Sequence, residues 1–182
     1  MRVLGISGSL RKQSFNEALL RAAAEFAPVG MEVVVYPLHD LPHYNADYDP
    51  KEMDRAPDAV RAFRAAVEGS AALLCAVPEF SHSYPGVLKN ALDWLSASES
   101  LARKPTASIS AAPNDGGGVR GQLAIREVFY SLGCDTFVSY ELLVRQAKTK
   151  FTDGKLTDAK TVDQLTKFLA EFAIHAQSRR ER

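Results

Sequence analysis

Residues 3–24 read VLGISGSLRKQSFNEALLRAAA, and the order of patterns in this stretch decides the fold. An apolar run typical of a buried strand leads into a turn of small and hydroxyl-bearing residues, and a helical pattern follows at once. The backbone N–H groups of such a turn and the positive end of the helix both favour an anion. Four side chains add hydrogen-bond donors or a fixed cation, namely Ser9, Arg11, Ser14 and Asn16. The stretch therefore predicts a site for a phosphate-bearing ligand after the first strand.

Strand-like and helix-like patterns alternate along the whole chain. The predicted strands are 3–7, 31–36, 71–77, 106–110 and 134–138, and the predicted helices are 15–27, 58–68, 85–95, 122–132 and 158–177. Nearly continuous apolar strands are typical of a sheet buried on both faces, and strict alternation favours parallel strands joined by helices. The pattern predicts a single α/β domain over residues 1–182. Its expected architecture is a flavodoxin-like doubly wound five-stranded parallel sheet, of order 2-1-3-4-5, with helices on both faces.

Two segments lie outside this alternation. Residues 37–57 form a long polar loop that contains four prolines. A loop of that length in a compact domain is usually functional, and this one is expected to shape either a ligand pocket or an interface. Residues 151–156 are predicted to form a turn with a short extended flank on each side.

Three loops with unusual chemistry are expected to meet in space. In a doubly wound sheet, ligands bind outside the carboxyl ends of the strands, at the point where the strand order reverses. The loop at 78–85 begins and ends with proline, so it can present a stiff backbone to the edge of a flat ring while Phe80 or Tyr84 packs on a face. The glycine-rich loop at 110–118 lets a ring or a second nucleotide approach the backbone closely.

Other motif interpretations of these loops are weaker. The first loop contains neither the dinucleotide motif G-x-G-x-x-G nor the Gly-Lys-Ser/Thr ending of a Walker loop. A simple helix cap at Ser14 or Asn16 would explain only one of the four polar residues. Residues 116–121 formally match G-x-G-x-x-G, but they follow the fourth predicted strand instead of the first. Arg120, beside them, either binds a phosphate of a reducing cosubstrate or is a surface arginine.

Composition excludes several classes of function. The chain has 22 basic and 22 acidic residues, which argues against nucleic-acid or membrane-surface binding driven by global charge. Without a signal peptide or a long apolar stretch, the expected location is the cytoplasm. The charge run at 179–182 is expected to be a solvated helix end.

Four residues that often carry chemistry have plainer interpretations here. Cys75 and Cys134 lie in apolar runs far apart in the sequence, so both are expected to be core residues and not disulfide partners or zinc ligands. Trp94 is expected in the core or at an interface. His82 has no evident acid, nucleophile or metal-ligand partner beside it, which favours a structural role over a catalytic one.

Three stretches of the chain resemble the NADPH-dependent FMN reductase family, which includes quinone, chromate and azo-dye reductases. They are Gly8-Ser9-Leu10-Arg11-Lys12-x-Ser14-x-Asn16, then Pro78-Glu79-Phe80-Ser81-x-Ser83-x-Pro85-Gly86-x-Leu88-Lys89-Asn90-Ala91-x-Asp93-Trp94, and the Gly-Gly-x-Arg stretch that ends at Arg120. The resemblance covers nearly the whole chain. It implies bound FMN, with NADPH or NADH as reducing cosubstrate. The residues it implies around FMN are Ser9, Arg11, Ser14, Phe15, Asn16, Pro78, Glu79, Phe80, Ser81, Ser110, Gly116 and Gly117.

The resemblance also implies an activity and an assembly. Hydride is expected to pass from the nicotinamide to flavin N5 and on to a quinone, free flavin, chromate or a similar acceptor, with no side-chain acid or base assigned. Members are typically homodimers or homotetramers. The family commonly has Pro-Glu-Tyr-Asn where this chain has Pro78-Glu79-Phe80-Ser81. This departure removes a hydroxyl and shortens a side chain. Backbone contacts to the flavin are compatible with both changes, whereas side-chain contacts are not, so flavin affinity and acceptor choice are expected to depend on them.

Two other functions are compatible with part of the sequence. A flavodoxin-type electron carrier has the same fold, but carriers that dock on basic partners need an acidic surface, and this chain is neutral overall. A hydrolase using Ser7 or Ser9 needs a Gly-x-Ser-x-Gly elbow, which the stretch from Gly5 to Ser9 lacks.

Overall fold

Parallel strands and helices alternate in the computed structural model, which describes residues 1–48 and 55–178. The strands are β1 Arg2–Ser7, β2 Glu32–Tyr36, β3 Ala72–Ala76, β4 Pro105–Ala111, β5 Asp135–Thr136, β6 Leu142–Val144, β7 Phe151–Thr152 and β8 Lys155–Leu156. The α-helices are α1 Phe15–Glu25, α2 Asp58–Glu68, α3 Gly86–Ser96, α4 Val119–Ser131 and α5 Ala159–Ser178. Short 3₁₀ turns cover Ala46–Tyr48, Glu99–Leu101 and Ala147–Thr149. Residues 179–182, predicted as a solvated helix end, lie outside the described residues, as do residues 49–54 of the long loop.

The main sheet confirms the predicted strand order. It runs β2-β1-β3-β4-β5, with parallel pairing throughout, and β6 also pairs with β4. Because the order reverses between β1 and β3, the loops after these strands border the expected ligand crevice.

The last of the five predicted sheet positions is divided between two short strands. The segment predicted at 134–138 pairs with β4 only through β5, at Pro105 and Thr106. The chain then leaves the sheet and returns as β6, which pairs with Ile109–Ala111 further along the same edge. Three residues are too short for a periodic signal, so β6 could not be recognised from its sequence.

A separate antiparallel hairpin, β7–β8, confirms the turn predicted at 151–156. Its two turn residues, Asp153 and Gly154, have φ angles of 49° and 74°. Asp-Gly is a common pair for a two-residue hairpin turn with both residues in the left-handed region.

Two apolar clusters cover the two faces of the sheet. Successive strand residues point to opposite faces, so Val3 joins the cluster under α1 and α5, while Leu4 joins the cluster under α2, α3 and α4. Both residues are fully buried. This sandwich holds the carboxyl ends of β1, β3 and β4 at one edge, where the three loops begin.

The core positions predicted for Trp94 and Cys75 are confirmed, whereas Cys134 is only partly buried. Trp94 is fully buried, and its indole Nε1 donates to Pro42 O at 2.8 Å. Burial raises the pKa of the Cys75 thiol, and it raises the pKa of Cys134 to about 11. Within the described residues, no helix is long and apolar enough to cross a membrane, and no cluster of His, Cys, Asp and Glu could hold a metal ion.

Candidate functional site

The first loop, residues 8–14, presents hydroxyl groups that the backbone already orients. Ser9 Oγ accepts from Arg11 N at 3.5 Å, and Ser14 Oγ caps α1 by accepting from Glu17 N at 3.3 Å. A hydroxyl that accepts one hydrogen bond still has a proton to donate. The first N–H groups of α1, at Phe15 and Asn16, have no carbonyl of the helix to bond. The loop therefore offers several donors to one anion.

Arg11 and Gly8 define the shape of this loop. The Arg11 guanidinium donates from Nη2 to Gln13 O at 2.9 Å, which holds a fixed positive charge over the turn. A Cβ added at Gly8 would lie 2.6 Å from Pro85 Cγ and 2.7 Å from Leu88 Cδ1. Only glycine allows the first loop to approach the start of α3 this closely.

The side chain of Asn16 links two elements in addition to lining the cleft. Its amide Nδ2 donates to Ala111 O at 2.9 Å, and its Oδ1 accepts from Ala111 N at 3.0 Å. The side chain is only 5% exposed. It therefore ties the start of α1 to the end of β4, which leaves the backbone N–H and the second proton of Nδ2 as donors.

The second loop contains a tight turn at Phe80–Ser83. The backbones of Phe80 and Ser83 bond each other in both directions at 2.9 Å, and the two central residues, Ser81 and His82, have φ angles of 48° and 63°. Two left-handed residues define a turn that asparagine and glycine usually occupy. The turn projects Phe80, which is 56% exposed, at the rim of the site.

Glu79 and Arg120 join the second loop to the start of α4. Glu79 accepts from Arg120 Nη1 at 2.9 Å and from Arg120 N at 3.1 Å. Burial alone would raise the pKa of the Glu79 carboxyl, but the hydrogen bonds and charge of Arg120 outweigh it and hold that pKa below its ordinary value. The ion pair is intact at neutral pH and is lost only as the pH falls through the lowered pKa. Arg120, predicted to bind the cosubstrate, is thus paired with Glu79 of the second loop.

Hydrogen bonds from the side chains of Asn114 and Ser110 hold the third loop in place. Asn114 Oδ1 accepts from the backbone N–H groups of Gly116 and Gly117, at 3.1 and 3.2 Å. Ser110 is fully buried; its hydroxyl donates to Gly117 O at 2.5 Å and accepts from Gln122 Nε2 at 2.8 Å. Ser110 was expected beside the ring, but it lies behind the loop and acts through Gly117.

Sequence reasoning missed Asn114 and Gln122. An asparagine just before a glycine run is a recognisable signal, since its side chain often bonds the backbone two residues on. Gln122 bonds both Ser110 and Leu142 O, and the latter belongs to the unrecognised β6. Nothing in the local sequence marks that contact.

The first and second loops border one narrow cleft with the residues that follow β4. Its enclosed part is about 100 Å³ and is lined by Ser9, Arg11, Ser14, Phe15, Asn16, Pro78, Glu79, Phe80, Ala111, Ala112 and Pro113. Eight of the twelve residues predicted around FMN are in this lining. The other four, Ser81, Ser110, Gly116 and Gly117, lie in or behind the adjoining turns. Ala111, Ala112 and Pro113 belong to the third loop predicted here, but none of them was named as a site residue.

The cleft suits a mononucleotide with a flat ring. One end offers hydroxyls, helix N–H groups and a guanidinium, which together match a phosphate. The other end offers stiff backbone and an aromatic side chain. Since ligand sites usually enclose about 300–1,000 Å³, a ligand anchored here would project beyond the enclosed part.

Comparisons with known proteins point to one family. The model of the NADPH-dependent FMN reductases matches residues 1–149. An NAD(P)H-dependent FMN reductase of Pseudomonas aeruginosa is 36% identical over 163 residues, covering 88% of this chain and 86% of the relative. A quinone reductase of Escherichia coli K12 is 34% identical over 182 residues, covering 97% and 96%.

Solved structures agree with these relatives. The flavoenzyme FerB of Paracoccus denitrificans, an NAD(P)H:(acceptor) oxidoreductase, superimposes with a TM-score of 0.87 at 31% identity, over 98% of both chains. A flavodoxin mutant from Pseudomonas aeruginosa has a TM-score of 0.62 at 20% identity, over 97% of this chain and 99% of the flavodoxin. The second likeness shows the flavodoxin-like fold alone.

Proposed function

The chain belongs to the NADPH-dependent FMN reductase family, and we propose that it holds FMN in the cleft, oxidises NADPH or NADH, and reduces a quinone or a similar small acceptor. The observation that carries the proposal is the cleft itself. It combines an anion-binding end with a flat-ring end at the point where the strand order reverses. Bound FMN supplies the chemistry, by accepting a hydride at N5 and passing the electrons on.

The residues of the first loop are proposed to hold the phosphate. Ser9 and Ser14 each have a hydroxyl proton to donate, and the helix start contributes N–H groups. Arg11 adds the charge, so we assign it the largest single contribution to phosphate binding.

The second and third loops are proposed to place the ring. The backbone at Pro78–Phe80 faces the cleft, and the Glu79–Arg120 pair keeps that backbone in place at neutral pH. The Gly116–Gly117 turn, fixed by Asn114, would let the ring approach closely. We assign no side-chain acid or base, because hydride transfer between nicotinamide and flavin needs none from the protein.

We also propose that the chain works as a homodimer or homotetramer. Phe80 is more than half exposed at the rim, and the enclosed part of the cleft is small. A second copy over this rim would exclude water from the ring. Light scattering of the FMN-loaded protein should give a multiple of the chain mass, and a monomer mass would contradict this assembly.

The assignment of the phosphate is tested by Arg11→Ala. Loss of one charge-assisted hydrogen bond to the phosphate should raise the dissociation constant for FMN by about tenfold or more. The constant is measured by titrating the FMN-free protein with FMN and following flavin fluorescence. Riboflavin, which lacks the phosphate, should bind wild type and variant equally.

A matched control separates this effect from a general change in charge. Arg2 is an exposed arginine at the opposite end of β1, so Arg2→Ala should leave FMN affinity unchanged. Wild-type affinity for FMN in Arg11→Ala would show that the first loop does not hold the phosphate.

A further inference from the structure

A second groove adjoins the cleft on its phosphate side. It is lined by Arg11, Lys12, Gln13, Ser14, Phe15, Ala18, Arg21, Lys148, Phe151, Asp153 and Gly154, and has a volume of about 690 Å³. Arg11, Ser14 and Phe15 also line the cleft, so the two spaces share a wall. The volume lies within the usual range of about 300–1,000 Å³ for small-molecule sites.

The groove concentrates positive charge in a chain that is neutral overall. Four cationic side chains and one carboxylate line it. Lys12, on the first loop, and Lys148, on the 3₁₀ turn, are exposed, and neither takes part in an ion pair among the residues that the structure describes. Arg21 is held by Glu17 at 2.7 Å. Unpaired cations on a concave surface raise the local concentration of anions.

The groove also has an aromatic wall. The rings of Phe15 and Phe151 lie 5.5 Å apart, and Phe151 is nearly buried while Phe15 is partly open. The tip of the β7–β8 hairpin closes the far side, where a Cβ added at Gly154 would lie 3.8 Å from Arg21 Nη2. Cations beside an apolar aromatic surface match a ligand that carries phosphates and a flat base.

We propose, on the basis of the proposed function, that this groove binds the adenosine phosphates of the reducing dinucleotide. The nicotinamide must reach the flavin ring, so the rest of the molecule needs a site next to the cleft. Arg120 is engaged with Glu79, whereas Lys12 and Lys148 are unpaired. The group that the groove would bind is a phosphate attached to adenosine, either in the diphosphate bridge or at the 2′ position.

The proposal is tested with the double variant Lys12→Gln/Lys148→Gln in the FMN-loaded protein. Titration calorimetry with adenosine 2′,5′-bisphosphate should show binding to wild type and about tenfold weaker binding to the variant, since two phosphate contacts lose their charge. The KM for NADPH should rise by a similar factor. FMN affinity is measured alongside and should fall by less than the affinity for the bisphosphate, because neither lysine lines the cleft, although Lys12 lies on the first loop.

The source of the phosphate follows from a comparison of the two dinucleotides. A rise in KM for NADPH alone assigns the groove to the 2′-phosphate, and an equal rise for NADH assigns it to the diphosphate. Lys167→Gln is the matched control, because Lys167 is an exposed lysine on α5 outside the groove.

Two further results separate this inference from the proposed function. If NADPH reduces the wild-type flavin but the double variant binds the bisphosphate and both dinucleotides as tightly as wild type, the groove assignment is wrong and the proposed function stands. If the wild-type protein takes up no FMN, or its flavin is reduced by neither dinucleotide, both are wrong.

Discussion

Single residues set the strain and the chemistry of the second loop. Ser81 and His82 both have positive φ angles, a conformation that costs about 1–2 kcal/mol for a residue with a Cβ. The resemblance showed only that Ser81 replaces the family's usual asparagine. It could not show that this position is left-handed, where asparagine is favoured, because φ angles depend on the pairing of Phe80 with Ser83.

The turn predicts that His82→Gly stabilises the protein. Relief of the left-handed backbone should exceed the added entropy of the unfolded chain, giving a net gain of about 0.5–1 kcal/mol in the free energy of unfolding. The measurement is urea denaturation of the FMN-free protein. Ser83→Gly is the control and should destabilise, because Ser83 has no positive φ angle to relieve. A loss of stability in His82→Gly would refute the strained-turn interpretation.

Residue types predicted which side chains lie near one another better than the contact that each side chain makes. Ser9, Arg11 and Ser14 line the cleft as expected. The side chains of Asn16 and Ser110, also predicted near the ligand, hydrogen-bond to the backbone of Ala111 and Gly117. The Asn16 contact joins segments 95 residues apart, and Ser110 lies in a buried strand whose local pattern does not show which partner its hydroxyl takes.

At the scale of elements, the alternation of buried strands and amphipathic helices was sufficient to predict the sheet order. It failed at β5 and β6, where one position at the sheet edge is filled by two short segments. Short strands owe their pairing to the neighbouring strand and not to their own composition. The same limit hid Gln122, whose partner Leu142 O belongs to β6.

The link between α1 and β4 predicts that Asn16→Ala destabilises the protein. Two buried hydrogen bonds are lost and the N–H and C=O of Ala111 are left without partners, which should lower the free energy of unfolding by about 2–4 kcal/mol. Chemical denaturation is measured without FMN, so that ligand binding does not contribute. Gln13→Ala, at an exposed neighbouring position, should change stability by less than about 0.5 kcal/mol. Equal effects of the two substitutions would show that the hydrogen bonds between Asn16 and Ala111 do not stabilise the fold.

The whole molecule brings its unusual chemistry to one edge of the sheet. The loops after β1, β3 and β4 are far apart in the sequence, and parallel pairing places them side by side. This convergence could be predicted from topology alone. The basic groove could not be predicted in this way. Lys12 and Lys148 line one groove only because the chain returns to the first loop after β6, and the neutral net charge gives no sign of a local excess of positive charge.

The central claim is that this chain binds FMN and that NAD(P)H reduces it directly. The most direct test is the visible absorption spectrum of the purified, FMN-supplemented protein, recorded without oxygen before and after addition of NADPH and then NADH. The account predicts a two-banded flavin spectrum that bleaches with a dinucleotide and with no other protein present. A flavin that stays oxidised with both would indicate an electron carrier, and a protein that takes up no FMN would contradict the cofactor assignment itself.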